Sequence, residues 1–573
     1  MNNMGGIISN EQGFIDVLTP EETKVYKYNG RTYVITYDGE IYNKEEIIDD
    51  LLSRGNYLDS IDDEEVLLKG YIMWQERILK KLEGVFSIGI WEVESKKLFL
   101  ARDPIGAKSL YYTILKDGII FANHIKYLFK NDEVKPEVTY EGISELLALG
   151  PSRRGDSAIF KNISQLKPGH YMEYSSNYCR IFKYEDFEAY ENKEDFQNIA
   201  DNIRELVIDS VLRQYGGDTD ACTLLSGGLD SSIVTTIISE AVQDEGKKLR
   251  TFSVDYDGND VYFKSNDFQP NSDNEWINKM VEFCDTNHTT IKLTNKVLVD
   301  GLHEAMILRG FPGMGDIDTS LMTFCDNMSK YVEVGLGGEC ADEVFGGYPW
   351  FHKDELKNSD FFPWIRSINE RCEYINDEIK EKFDVLDFAK NIYKDEINKV
   401  PKLDSETDEE RRIREVGYLT YRWFLPVLLE RQDKMARISD FKIRAPFCNF
   451  KLMKYVYNIP WKYRIYGDMP KGLLRYAFKD ILPSEVAYRK KSPYPKTYNP
   501  EYTNLIVNEF NKVISDNDSP LLDIVDKNNV SKLMEMGIES TRPWFGQLMK
   551  GPQVMAFLIQ VNDWMKEYKV RIV

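Results

Sequence analysis

Ser226-Gly227-Gly228-Leu229-Asp230-Ser231-Ser232 is the run best suited to chemistry, lying directly after an apolar stretch that ends at Leu225 and directly before an amphipathic helical pattern. Two adjacent glycines let the backbone turn sharply, so that N–H groups and serine hydroxyls converge at a helix N-terminus, where anions bind. The bland alternative is a serine-capped glycine turn, but the strand-turn-helix context favours a phosphate site. A second run, Gly337-Gly338-Glu339-Cys340-Ala341-Asp342-Glu343, follows the apolar stretch Val332 to Leu336. Glu339 and Asp342, three apart, would share one face if this segment turns helically. Acids in a first helical turn are also favoured by the macrodipole alone, which leaves the flanking glycines unexplained. No G-x-x-x-x-G-K-[ST] run occurs, which disfavours a Walker-type NTPase. The 7 cysteines are scattered with no C-x-x-C pair, and the 5 histidines show no ligand spacing, so reduced thiols are expected and a zinc site is not.

Elements able to position these residues can be read from the periodicity. Thr32 to Tyr37, Val85 to Trp91, Lys97 to Ala101 and Gly118 to Phe121 are short, β-rich runs separated by turn residues, interrupted by helical patterns at Lys44 to Leu52 and after Asp63. An acidic, apolar-poor segment, Tyr184 to Asp195, then precedes a helix carrying Ile199, Ile203, Leu206, Val207 and Val211 at helical spacing. From there strands (Ala221 to Leu225, Leu249 to Asp255, Val332 to Leu336) alternate with helices (Ser231 to Ala241 first). Such alternation predicts an α/β parallel sheet whose ligands sit at the carboxyl ends of the strands, and the remainder reads as mainly helical. The expected division is 1–190 and 191–573.

Composition bounds the function. With 573 residues, 42% hydrophobic, the chain can bury several cores. Its net charge of −21 argues against nucleic acid as the main partner. No apolar run nears the roughly 18 residues a membrane span needs, and no basic segment followed by an apolar stretch opens the chain, so no membrane association and a cytoplasmic location are expected.

The loop Ser226 to Ser232 resembles the pyrophosphate-binding loop of ATP pyrophosphatases, which cleave ATP between the α and β phosphates. Within that group, Gly337 to Glu343 is similar to the Ser-Gly-Glu-Gly-Ser-Asp-Glu motif of the asparagine synthetase family. Arg444-Ala445-Pro446-Phe447 and Tyr488-Arg489-Lys490-Lys491 resemble two further landmarks of that family. The resemblance implies ATP and Mg²⁺ as cofactors, and Asp230 and Asp342 as metal ligands. It implies Glu339 and Lys491 as catalytic residues, Lys491 being chosen over Lys490 by the R-x-K pattern. ATP would contact Leu225, Ser226, Gly227, Gly228, Leu229, Asp230, Ser231, Ser232, Gly337 and Gly338, with Val254 against the adenine. Glutamate at 339, where ring-closing relatives carry tyrosine, favours an amide-forming ligase of amino-acid biosynthesis.

The N-terminal part resembles the family's glutaminase domain, an αββα N-terminal-nucleophile sandwich. Gly39-Glu40-Ile41-Tyr42-Asn43 matches its Gly-Glu-Ile-Tyr-Asn run, and Asp63 stands where a glutamine-gripping aspartate is expected. The attacking cysteine is missing, since Met4-Gly5-Gly6-Ile7 aligns with Met-Cys-Gly-Ile, and glycine carries no nucleophile. Asp38 replaces the asparagine before Gly39, and Ile8 to Thr32 is too short for the His-Arg-Gly-Pro-Asp segment that supplies a carboxylate-binding arginine. A degenerate glutaminase site at Gly5, Asp38, Gly39, Glu40 and Asp63 is therefore expected. In the synthetase half, Lys442 and Asn449 replace usual acids, and Phe311 to Ser320, near the expected acceptor site, contains no arginine. Three readings follow: a synthetase using a carboxylate, aspartate foremost, with free ammonia or ammonia from a separate partner; a specialised ligase joining another carboxylate and amine; and a non-catalytic scaffold. A homodimer is what the resemblance implies.

Overall fold

The computed structural model describes residues 3–10, 13–17, 23–217, 220–244, 246–263, 272–532 and 543–573. They divide into two compact units. One comprises Met1–Gly142, Arg153–Asp186 and Arg571–Val573; the other comprises Ile143–Ser152 and Phe187–Val570.

The first unit holds two antiparallel sheets. In one the order is Ser164–Gln165, Tyr111–Leu115, Gly118–Ala122, Gly5–Ser9, Gly13–Val17; in the other it is Tyr178–Lys183, His170–Ser175, Lys97–Arg102, Gly84–Glu92, Arg31–Ile41, Thr23–Tyr28. Period-two alternation separates the faces of the second sheet. Ile35, Tyr37, Phe86 and Ile88 face the helices Lys44–Ser53 and Asp63–Trp74 through Ile47, Leu51, Val66 and Leu68. Val34, Trp91, Leu98 and Leu100 instead meet Ile8, Ile119 and Phe121 of the first sheet. The short helix Ile125–Leu128 lies on the first sheet, completing the expected helix-sheet-sheet-helix order. The expected strands are present and run longer, as in Arg31–Ile41, whose pairing with Gly84–Glu92 continues to Ile41↔Gly84. The end of the chain returns to this unit, Arg571–Ile572 pairing in parallel with Glu137–Val138.

The second unit is built on a parallel sheet ordered Asn287–Leu293, Arg250–Tyr256, Ala221–Leu224, Val334–Leu336, Lys442–Arg444. The helix preceding it, Phe196–Tyr215, starts where Asp195 accepts from the Asn198 N–H at 3.0 Å and stops at Gly216, φ 65°. Leu229–Asp244 follows the central strand and buries Ile233, Val234, Ile237 and Ile238, side chains whose burial is worth about 1.5–3 kcal/mol each before entropy. The C-terminal part is helical: Gly551–Glu567 packs against Pro500–Ser515 and Leu302–Arg309. Within this unit Arg371 is 6% exposed and donates to the carbonyls of Leu147 and Ala148 at 3.3 and 2.5 Å. Among the described residues no helix is long and apolar enough to cross a membrane, and all seven cysteines are free thiols, five of them buried.

Candidate active site

The glycine turn between Ala221–Leu224 and Leu229–Asp244 brings Asp230 into the first helical turn, as the second residue of the helix, rather than just before it. Gly227 has φ +65°, and a Cβ there would meet the Trp276 carbonyl carbon at 2.6 Å, so both backbone and space require glycine. Arg489 stitches this turn from outside, donating to the carbonyls of Ser226 and Gly227 at 3.3 and 2.8 Å while its other nitrogen pairs with Asp273. That is a positioning role for the R-x-K arginine which its sequence context did not disclose.

The second glycine run closes against the first. A Cβ on Gly338 would stand 2.5 Å from the Ser231 nitrogen, so the two loops can approach this closely only with glycine there. Glu339 and Asp342 do not share a helical face: the helix is Ala341–Phe345, and Cys340 before it has φ +75°. A left-handed residue between the two acids turns the chain, so Glu339 precedes the helix and Asp342 lies within it. Both still line the same cavity.

That cavity, of about 390 Å³, is bounded by Leu225, Ser226, Asp230, Ser231, Val254, Gly337, Gly338, Glu339, Asp342 and Lys491. Gly227, Gly228, Leu229 and Ser232 build the turn behind it. Lys490 is exposed. Lys491 donates to Asp342 Oδ2 at 2.6 Å.

Lys471, a residue with no local signal in the sequence, completes the cluster. Its ammonium lies 2.8 and 2.6 Å from the two oxygens of Asp230 and 2.8 Å from Asp342 Oδ1, and only 2% of its side chain is exposed. Burial raises both carboxyls, but Asp342, touching the ammoniums of Lys471 and Lys491, is held well below the usual carboxylate range. Asp230, touching one ammonium and facing Asp342, stays raised. Burial also raises Glu339, partly offset by Arg431, whose Nη1 is 3.6 Å away. Asp230 and Asp342 bring hard oxygen donors to one point, the kind of donor Mg²⁺ takes with phosphate and water completing its shell; all four oxygens here face the Lys471 and Lys491 ammoniums, so the ion would be held there by displacing one of them. Among the described residues no group of three or more His, Cys, Asp or Glu offers an all-protein metal cage.

The other predicted landmarks have structural partners. Arg444 donates to the Gln214 carbonyl at 2.6 Å, holding the end of Phe196–Tyr215, and Asn449 caps Phe450–Tyr457 by accepting from the Leu452 N–H at 3.1 Å. In Phe311 to Ser320 the buried Asp316 opens the helix Asp316–Met328, and burial pushes its carboxyl up to about 6. A carboxyl raised in the folded state binds a proton the unfolded chain releases, so its contribution to stability falls as pH rises from about 4 to about 6 and stays low above that. Asp316→Asn should therefore raise stability by roughly 2–3 kcal/mol at pH 8 and little at pH 4, read as unfolding midpoints at the two pH values.

In the first unit, Gly5 is buried on its strand opposite Ala122, beside Met4, whose carbonyl accepts from the Asn123 N–H at 2.9 Å. Asp38, 2% exposed, accepts from Asn123 Nδ2 at 2.7 Å and faces Lys108 at 3.4 Å. Asp63 accepts from the Tyr37 hydroxyl at 3.2 Å and pairs with Lys44 at 3.0 Å. Gly39 and Glu40 sit on the same strand, paired with Phe86 and Val85. Part of the stretch judged too short for the arginine segment, residues 11–12 and 18–22, lies outside the described residues.

Residues 202–566 match the asparagine synthase family, and residues 19–185 match the glutamine amidotransferase domain. A Bacillus subtilis (strain 168) protein named glutamine-hydrolyzing asparagine synthetase 3 is 40% identical, over 97% of this chain and 91% of that protein. Glutamine-hydrolyzing asparagine synthetase 1 of the same strain is 25% identical, over 82% of this chain and 76% of its own length. A family match across most of the chain and a near full-length relative at this identity agree with the two glycine turns and the acids between them: the chain belongs to the asparagine synthase family.

Proposed function

We propose that the chain converts a carboxylate, foremost aspartate, into its amide at the expense of ATP, releasing AMP and pyrophosphate. The observation that carries this reading is the convergence of Asp230, Lys471, Asp342 and Lys491 between two glycine turns, with Glu339 in the same cavity. Residues 191–573 would do this chemistry, and residues 1–190 would be an amidotransferase-like part that no longer hydrolyses glutamine.

In the proposed reaction, the N–H groups of Ser226 to Ser232 receive the phosphates and Val254 packs beside the adenine. An oxygen of the acceptor carboxylate attacks the α-phosphorus and the bond to the β-phosphate oxygen breaks, leaving an acyl-adenylate. Lys491 and Lys471 are preorganised cations for the charge that grows on the departing pyrophosphate, the kind of group that typically supplies several kcal/mol. Magnesium, held by Asp230 and Asp342, would neutralise phosphate charge. Ammonia then attacks the acyl carbon, Glu339 takes the proton that nitrogen sheds, and AMP leaves. Burial raises the Glu339 carboxyl, which favours a proton acceptor over a permanent anion. A scaffold would have no use for two ammoniums buried against two carboxylates.

The test is product analysis with aspartate, ammonium and ATP. AMP and pyrophosphate should form in equal amounts with the amide, whereas ADP as the main product would exclude the reading. Glu339→Gln should keep nucleotide affinity and slow turnover by roughly 10² or more, the scale of a positioned acid or base.

A further inference from the structure

Away from the active cavity, the second unit buries two N–H donors that no protein group takes up. Arg371, 6% exposed, spends its terminal nitrogens on the end of the helix Tyr140–Leu149, donating to the carbonyls of Leu147 and Ala148 at 3.3 and 2.5 Å. Its Nε–H has no partner among the described residues. Trp544 is 4% exposed, and its indole Nε1–H is likewise without one. Buried indole N–H groups usually find a partner, and buried charges are ordinarily paired. Burial lowers the Arg371 guanidinium from its usual range, and among the described residues no carboxylate is bonded to it to offset that cost.

Both side chains line one cavity of about 20 Å³, room for a single atom of water or halide size. The guanidinium lies over the Trp544 ring, 5.0 Å from its centre. Gly150 makes that stacking possible: its φ is +65°, and a Cβ there would stand 2.8 Å from Trp544 Cζ3 and 3.6 Å from Arg371 Nη1. Elsewhere the lining side chains are apolar, as with Leu147, Val525 and Phe557, apart from the hydroxyl of Tyr374. A water needs two to four polar partners and must place its own hydrogens on acceptors, which this lining scarcely offers. An anion needs donors alone, and the fixed positive charge of the guanidinium selects it.

We propose that a small monovalent anion, chloride foremost, binds between Arg371 Nε and Trp544 Nε1. This site does not depend on the ligase reading. It nevertheless borders the active cavity through the backbone, since the Trp544 N–H donates to the Met549 carbonyl at 2.8 Å and closes the turn 546–548, whose Gly546, Gln547 and Leu548 line that cavity. An anion on the Trp544 indole therefore holds the base of the turn.

The experiment is a thermal unfolding series on the full chain at constant ionic strength, with potassium gluconate exchanged stepwise for potassium chloride or bromide. With either halide the midpoint should rise by about 2 °C along a saturating curve, as for a ligand that binds only the folded state. Trp544→Phe keeps a ring and removes one donor, so the half-saturating concentration should rise about tenfold or more. Arg371→Lys keeps the charge without the Nε–H and should weaken the response similarly, which decides the matter if the first variant does not fold. Crystals grown in bromide should show an anomalous peak between the two side chains, and amide exchange at Gly546, Gln547 and Leu548 should slow a few-fold in chloride. Equal midpoints in gluconate and halide, a response unchanged in both variants, a water where the bromide should lie, or exchange at the turn indifferent to chloride would each overturn the proposal and leave the ligase reading intact.

Discussion

Lys471→Met should lower ATP/pyrophosphate exchange by about 10³ or more, among the largest effects expected from any single change in the second unit. Among the described residues only the Lys471 side chain ion-pairs with Asp230, whereas Asp342 keeps Lys491. Removing one member of a buried charge group leaves the others uncompensated, which typically costs 3–5 kcal/mol, so the unfolding midpoint should fall as well. The two effects separate on adding magnesium with a nonhydrolysable ATP analogue, which should restore thermal stability in part without restoring exchange. A variant that exchanges within tenfold of the unaltered chain would show that Lys471 is a structural counterion alone.

Glutamine should fail as nitrogen source. Hydrolysis through a thioester requires a nucleophile where Gly5 stands, and outright loss of a covalent nucleophile costs roughly 10⁴-fold or more. The surroundings support the same conclusion, because Asp38 and Asp63 already hold internal partners, Lys108 with Asn123 and Lys44 with Tyr37. Gly5→Cys alone should therefore not restore activity. The measurement is glutamate release from glutamine beside amide formation from ammonium: ammonium should support the product and glutamine should yield no glutamate. The contrast is informative because the 40% identical relative is named for glutamine hydrolysis. Glutamate appearing at the rate of ATP consumption would overturn the assignment.

The glycine turns and their strands were legible because each is a contiguous run with its own backbone demands. Asp230, Ser231 and Glu339 could be named from their neighbours in sequence. Lys471 could not, for its partner Asp230 lies 241 residues away and nothing in Pro470-Lys471-Gly472 announces the meeting. The relation of Glu339 to Asp342 was misread as helical because a left-handed Cys340 is not what side-chain chemistry suggests; glycine would have signalled it. Gly5 and Asp38 differ visibly in sequence from the runs they resemble, whereas the contacts of Asp38 with Asn123 and Lys108, 85 residues on in the case of Asn123, had no signal there.

The chain crosses between its two units at residues 142, 152, 186 and 570, so a gene split at the apparent border would deliver two incomplete halves. A fragment beginning at Phe187 would leave Arg371 buried with neither the Leu147 nor the Ala148 carbonyl to receive its protons. A fragment ending at Asp186 would expose the edge of Glu137–Val138 that Arg571–Ile572 now covers, and an uncovered strand edge invites pairing with another chain. Such halves should be recovered as insoluble protein when made singly and as soluble protein when made together.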